Sequence, residues 1–180
     1  MVSQEQLAKI QLLGLDVDGV LTDGSIIIGQ DGELSKHFDA RDGMGISLAL
    51  RHGIQIALIT GRHSEIVLHR AMELGISSVY ENVTDKAAVL VKAARELGVS
   101  LEATAFMGDD LNDLPAFGQA ALSFAPADAA EEVRNRAKYT ASASGGHGAV
   151  REVIEAILKA KGLWQSIVES YEQKGQGDRQ

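Results

Sequence analysis

The chain has 180 residues, 45% of them apolar and only 4% aromatic, enough for one core built mostly from Leu, Ile, Val and Ala. A formal net charge of −8 argues against nucleic-acid binding, which draws on Lys and Arg to neutralise phosphates. The lack of cysteine excludes disulfides, thiolate catalysis and Cys-ligated zinc, and no run approaches the ~18 consecutive apolar residues of a membrane span.

The opening stretch MVSQEQLAKIQ has neither a basic region nor a long apolar run, so a soluble cytoplasmic protein is expected. Residues 10–17 (IQLLGLDV) read as a buried strand. Residues 25–38 (SIIIGQDGELSKHF) read as two β arms around Gly29-Gln30-Asp31-Gly32, because Asp-Gly is a strong hairpin signal. That hairpin stands where a parallel fold would place a helix. A helix is expected over 44–51, a strand over 54–59, a helix over 64–74 and a short strand at 78–80. A helix over 84–97, a strand at 104–107, a helix over 111–117 and a strand over 120–124 follow. Gly53, Gly75 and Gly98 stop the helices they follow. After Gly145-Gly146-His147-Gly148 comes a helix over 149–161, then an amphipathic segment over 163–171 with Trp164, Val168 and Tyr171 on one face. Strands separated by single helices predict an α/β fold: a doubly wound, Rossmann-like parallel sheet covered on both faces, with a projecting β-hairpin. One domain over 1–174 and a flexible polar tail at 175–180 are expected.

The chemistry-bearing residues fall at strand ends. Asp16-Val17-Asp18-Gly19 closes the first strand with two carboxylates and a turn-permitting glycine. A lone Asp-x-Asp is also an ordinary strand cap. Gly108-Asp109-Asp110-x-x-Asp113 follows the fourth strand; Asp is a favoured helix N-cap, yet three acids in one turn exceed what capping needs. Two such acid sets at the ends of two core strands, if they converge, suit a hard cation such as Mg²⁺. Thr60-Gly61-Arg62 follows the second strand, where a hydroxyl and free backbone N–H groups can hold phosphate oxygens. Lys86 opens a helix, a position that opposes the helix dipole unless an anion lies close; a solvated surface lysine is the alternative. Arg62 and Arg70 sit at opposite ends of one helix and do not both enter one small pocket. The histidines show no metal-ligand spacing.

In this order the four motifs, spanning Asp16 to Asp113, resemble the haloacid dehalogenase-like phosphatase superfamily. DVDGVLTDG, the hairpin, DARDG, TGR, GDDLNDLP and GGHGAVRE extend the resemblance over nearly the whole chain to its capless branch, which acts on sugar-acid phosphates. The resemblance implies a phosphatase without a large cap domain that works on an eight-carbon sugar-acid phosphate in lipopolysaccharide biosynthesis. It also implies a homotetramer whose neighbours cover each site. By the same resemblance Asp16 is the nucleophile and Asp18 the general acid and base. Thr60 and Lys86 hold the phosphoryl oxygens, and the Asp16 carboxylate, the Asp18 carbonyl and Asp109 hold Mg²⁺. Asp110 and Asp113 orient these groups. The sugar acid falls to Asp18, Asp39, Ala40, Arg41, Asp42, Gly43, Ser47, Arg62, Arg70, Lys86 and Asn112, with Arg70 reaching an adjacent subunit. His147 stands where the family pattern has Arg.

Two other readings compete. A related capless phosphatase for a nine-carbon acylneuraminate phosphate shares the motifs. A non-enzymatic receiver-type phosphoacceptor also uses acids, Thr, Lys and Mg²⁺, but there the acid pair precedes the acceptor.

Overall fold

The computed structural model describes residues 2–30 and 32–177, except for the side chains of residues 33, 34 and 174–177. Six strands form one parallel sheet: β1 (Leu12–Leu15), β4 (Gln55–Ile59), β5 (Ser78–Tyr80), β6 (Thr104–Met107), β7 (Leu122–Ala125) and β8 (Tyr139–Thr140). Their spatial order is β5-β4-β1-β6-β7-β8. β1 pairs with β4 on one side and with β6 on the other. The chain winds outward from β1 to β5, then returns to β6 and winds the other way. The loops leaving β1 and β6 therefore diverge, which opens a crevice at the carboxyl ends of these strands.

Alternation along the strands explains the layers. Leu13, Leu15, Ile56, Leu58, Ala105 and Met107 join one core cluster with residues of α2 (Ala40–Arg51), α3 (Glu65–Leu74) and α7 (Ala149–Ala160). Leu12 and Ala57 point to the opposite face with Ala93 and Ala94 of α4 (Lys86–Glu96). Ile59 and Phe106 meet Leu90 and Ala116 on that same face. Gly14 is central in β1 because a Cβ there would run into Phe106 and Leu90. The core is aliphatic, as the scarcity of aromatics requires, with Phe106 and Phe124 its largest fully buried side chains.

The expected strands and helices are present, β5 and β6 at the expected bounds and others with shifted ends. β1 stops at Leu15, so Asp16 lies just past the sheet edge. The hairpin is β2 (Ile27–Gly29) paired antiparallel with β3 (Gly32–Ser35), closed at its base by a bridge between Thr22 and Phe38. Asp31, half of the Asp-Gly turn signal, lies outside the described residues.

Some elements differ from expectation. The DARDG stretch is not a free loop: Ala40–Gly43 form the first turn of α2, capped by Asp39, whose carboxylate accepts from the Arg41 backbone N–H. Gly43 in that turn and Gly45 just after it obscure the helical propensity. Residues 111–117 divide into a 3-10 turn (Leu111–Asp113) and a short α5 (Leu114–Phe117), with Pro115 at its start. α1 (Gln4–Ala8), α6 (Glu131–Arg134) and the two-residue β8 were too short to leave a periodic signal. The segment after Leu163 is longer than expected, α8 running over Trp164–Gly177. Three positions of the predicted tail, 175–177, thus belong to a helix, and 178–180 lie outside the described residues.

Candidate active site

Asp16, Asp18, Thr60, Arg62, Lys86, Asp109, Asp110 and Asn112 line one cavity of about 280 Å³ at the carboxyl edge of the sheet. The backbone N–H of Asp16 still bonds to Met107 of β6 at 3.0 Å, so its carboxylate starts from a fixed point. The chain then folds over itself: Val20, Leu21 and Thr22 all donate backbone N–H bonds to the Val17 carbonyl. Gly19 permits this turn at φ +92°, and any Cβ there would collide with the Asp109 carboxylate. The glycine is therefore dictated by Asp109 as well as by the turn.

Lys86 is the hub of the charges. Its Nζ donates to Asp113 Oδ1 at 2.6 Å and pairs with Asp16 Oδ1 at 2.9 Å. Only 2% of Lys86 is exposed, which rules out the solvated surface lysine. Burial alone would lower its pKa; the Asp16 and Asp113 carboxylates more than offset that and hold it raised. Lys86 is also the first residue of α4, where the helix dipole opposes a cation. Asp85 answers by capping that helix through the Ala88 N–H at 2.9 Å.

Asp113 spends both oxygens on this scaffold. Oδ1 takes Lys86, and Oδ2 accepts the backbone N–H groups of Asp109 at 2.9 Å and Asp110 at 3.2 Å. Asp110 caps the 3-10 turn, accepting from the Leu111 N–H at 2.7 Å. Gly108 is again obligatory, because a Cβ would strike the Asp113 side chain. Thr60 is buried, held by backbone bonds to Tyr80 and Val83. Its hydroxyl accepts the Arg62 N–H at 3.4 Å.

The arrangement fits a hard divalent cation. Oxygens of Asp16, Asp109 and Asp113 lie within 4.8 Å of one another, and Asp109 Oδ1 is buried with no hydrogen-bond partner among the described residues. Desolvation, with the charges of Asp16 and Asp113, pushes the Asp109 carboxyl up to about 8. Desolvation and Asp113 push Asp16 up to about 6, against the pull of Lys86. Crowded carboxylates of this kind ask for positive charge, and oxygen donors suit Mg²⁺. With Asp113 fully engaged, Asp16 and Asp109 are the side chains available to it.

The remaining predicted residues do not gather here. Asp42 is buried and accepts the backbone N–H groups of Gly148 and Arg151, pinning the start of α7. Arg41 pairs with Asp39 at 2.7 Å and donates to the His147 carbonyl at 2.9 Å. Gly43 leaves room for the Arg70 guanidinium. Arg70 lies in a separate cavity with Lys36, Phe38 and Ala40, its guanidinium 5.7 Å from the Phe38 ring centre. Ser47 lines a further hollow between α2 and α3. His147 is exposed, its Nδ1 2.8 Å from the Gly145 carbonyl oxygen.

Two contributors escaped the sequence reading. Lys36, on the hairpin's return arm, has a side chain only 1% exposed and reaches Asp18 Oδ1 at 2.5 Å. Its signal was available, since Lys36 shares the period-two phase of Leu34 and Phe38 and so belongs to the apolar side of that arm. The other is the Gly145-Gly146 pair, which packs backbone to backbone on Gly19 and Thr22, with the Gly146 N–H on the Val20 carbonyl at 3.0 Å. Nothing local in the sequence names that partner.

A parallel sheet with acids after its first and fourth core strands, Thr60 after the second and a buried lysine between them defines a haloacid dehalogenase-like hydrolase. A family model described as haloacid dehalogenase-like hydrolase matches residues 71–154. The chain is 43% identical over 164 residues to the 3-deoxy-D-manno-octulosonate 8-phosphate phosphatase of Escherichia coli K12, covering 89% of this chain and 87% of that one. It therefore belongs to the 3-deoxy-D-manno-octulosonate 8-phosphate phosphatase family and is a phosphoric monoester hydrolase. Among solved structures it resembles the Moraxella catarrhalis phosphatase in complex with magnesium, phosphate and KDO. That match has a TM-score of 0.90 and 39% identity, over 93% of this chain and 97% of that one. The cobalt-bound Haemophilus influenzae phosphatase matches with a TM-score of 0.87 and 40% identity, over 88% of this chain and 93% of that one. No helix among the described residues is long and apolar enough to cross a membrane.

Proposed function

We propose that the protein is a Mg²⁺-dependent cytoplasmic phosphatase that hydrolyses KDO 8-phosphate to KDO and inorganic phosphate through a phosphoryl-Asp16 intermediate, within lipopolysaccharide biosynthesis. The observation that carries this reading is the Lys86 ammonium bridging Asp16 and Asp113 beside the partnerless Asp109 oxygen. The substrate follows from the family and from the KDO-bound relative.

Asp16 is the nucleophile. A carboxylate oxygen forms a bond to phosphorus as the phosphorus–sugar oxygen bond breaks, and that oxygen takes a proton from Asp18. Asp18 then removes a proton from water, whose oxygen attacks phosphorus and frees Asp16 and phosphate. Held by the Asp16 carboxylate, the Asp18 carbonyl and Asp109, Mg²⁺ would offset the repulsion between these acids and the phosphate dianion. Thr60 and Lys86 bind the phosphoryl oxygens where charge spreads in transfer. Asp113 fixes Lys86 and the 109–110 backbone, and Asp110 holds the turn that carries Asn112.

Arg62 and Asn112 share the cavity with Asp16 and suit the sugar hydroxyls and carboxylate. Arg70 and Ala40 line a cavity separate from that of Asp16, and Ser47 lines another. In the homotetramer we propose, Arg70 serves a neighbouring subunit's site. A mass in solution of four chains is the expected result, and a single chain active on its own would remove that assignment.

The mechanism is tested by acid quenching. Asp18→Asn enzyme mixed with p-nitrophenyl phosphate should retain one phosphoryl group on the peptide containing Asp16, because the aryl oxide departs without a proton while hydrolysis stalls. Label on another residue, or none while nitrophenol is released stoichiometrically, would remove Asp16 from the nucleophile's role.

A further inference from the structure

We infer that Lys36 is the positioning residue for Asp18, so that the hairpin sets the place of the proton donor. The inference rests on the phosphatase reading above. Asp18 follows Asp16 by two residues on the turn that Gly19 permits, and its side chain is 19% exposed in the cavity. Among the described residues the side-chain hydrogen bond to its carboxylate comes from Lys36, at 2.5 Å. Lys36 is itself unusual. Its side chain is 1% exposed, and its ammonium donates to Oδ1 of Asp18, which leaves Oδ2 to carry the proton. The residue lies just past β3, between Ser35 at the strand's end and Phe38, which bridges back to Thr22. The hairpin's base is thus fastened at two points to the loop that carries Asp18: the Thr22–Phe38 bridge and the Lys36–Asp18 pair.

This geometry matters for one bond. When Asp16 attacks phosphorus, the electron pair of the breaking phosphorus–oxygen bond stays on the sugar oxygen. That oxygen takes the Asp18 proton, and the Asp18 carboxylate left behind faces the Lys36 ammonium. An alkoxide is a poor leaving group and depends on a proton delivered from the right place; a nitrophenolate leaves without one. A residue acting through Asp18 therefore matters for alkyl phosphates and little for aryl phosphates. A residue that merely supports the fold affects both alike.

The test compares kcat/KM, which reports steps up to departure of the alcohol, for KDO 8-phosphate and p-nitrophenyl phosphate in wild type and Lys36→Met. Methionine keeps the apolar stem and removes the charge. The ratio of the two constants is independent of how much enzyme is folded, and Lys36→Gln replaces the Met variant should that one not fold. We expect the sugar phosphate value to fall on the order of 100-fold, as for loss of an acid catalyst, while the aryl value stays within about threefold. In an Asp18→Asn background Lys36→Met should cost nothing further on the sugar phosphate, the signature of two residues acting as one unit. Equal losses on both esters, no loss on either, or full additivity with Asp18→Asn would overturn the inference. Wild-type enzyme inactive on both esters would instead refute the phosphatase reading.

Discussion

At the scale of single residues, the site is built from neighbours that exclude alternatives. Gly19 illustrates this. Its φ of +92° asks for glycine, and the Asp109 carboxylate occupies the place a Cβ would take. Gly19→Ala is therefore expected to displace Asp109 and lower phosphatase kcat by about 100-fold or more, since a small misplacement of reacting groups costs that much. Steady-state rates with saturating Mg²⁺ check this, and a near wild-type kcat would mean that Asp109 has no fixed task. The five acids of the two motifs, Thr60 and Lys86 were legible in the sequence because each stands at a strand end or helix start and together they fall in order along one sheet edge. Lys36 was not read: the period-two phase puts it on the apolar side of its arm, but its partner lies 18 residues away across a hairpin.

At the scale of elements, the loop before α7 shows how structure distant in sequence braces the catalytic turn. Glu152 of α7 accepts from the Tyr139 hydroxyl at 2.7 Å, from the Ser142 N–H and hydroxyl, and from the Ala143 N–H. This holds the strand that leads to Gly145 and Gly146, whose backbones press on Gly19 and Thr22. Burial would raise the Glu152 pKa, but the bonds from Ser142 and Tyr139 outweigh it and leave it below its ordinary 4.5. The group is charged when folded at a pH where the unfolded chain begins to protonate. Its stabilisation is thus present above about pH 4.5 and lost as pH falls through the lower folded value. Glu152→Gln is expected to cost on the order of 1 kcal/mol at pH 7, read as a melting temperature a few degrees lower. The gap from wild type should narrow as acid protonates Glu152. A gap that is constant or widens toward acid would show that the charge is not what matters. The sequence revealed α7 and the glycines ahead of it, but a two-residue strand such as β8 has no period to detect.

At the scale of the whole molecule, the topology explains why weak signals became specific together. Each motif has an ordinary reading: Asp16 as a strand cap, Asp110 as an N-cap, which it also is, and Thr60-Gly61 as a turn. The parallel order places the ends of β1, β4 and β6 side by side, so residues separated by 97 positions meet at Lys86 and Asp113. Residues belonging to the substrate end of the family pattern stayed apart. Arg70 and Ser47 line other hollows, where the proposed homotetramer would bring a neighbouring chain. Sequence periodicity carries no information about such a neighbour.

The most direct test of the central claim is phosphate release by the wild-type enzyme from a panel of sugar phosphates, with Mg²⁺ and with excess EDTA. The panel includes KDO 8-phosphate, a nine-carbon acylneuraminate 9-phosphate and common hexose phosphates. The predicted result is rapid release from KDO 8-phosphate, at least about 100-fold faster in kcat/KM than from the others, abolished by EDTA and restored by Mg²⁺. Preference for the nine-carbon substrate would contradict the assigned sugar, and release that persists undiminished in EDTA would contradict the metal-dependent site.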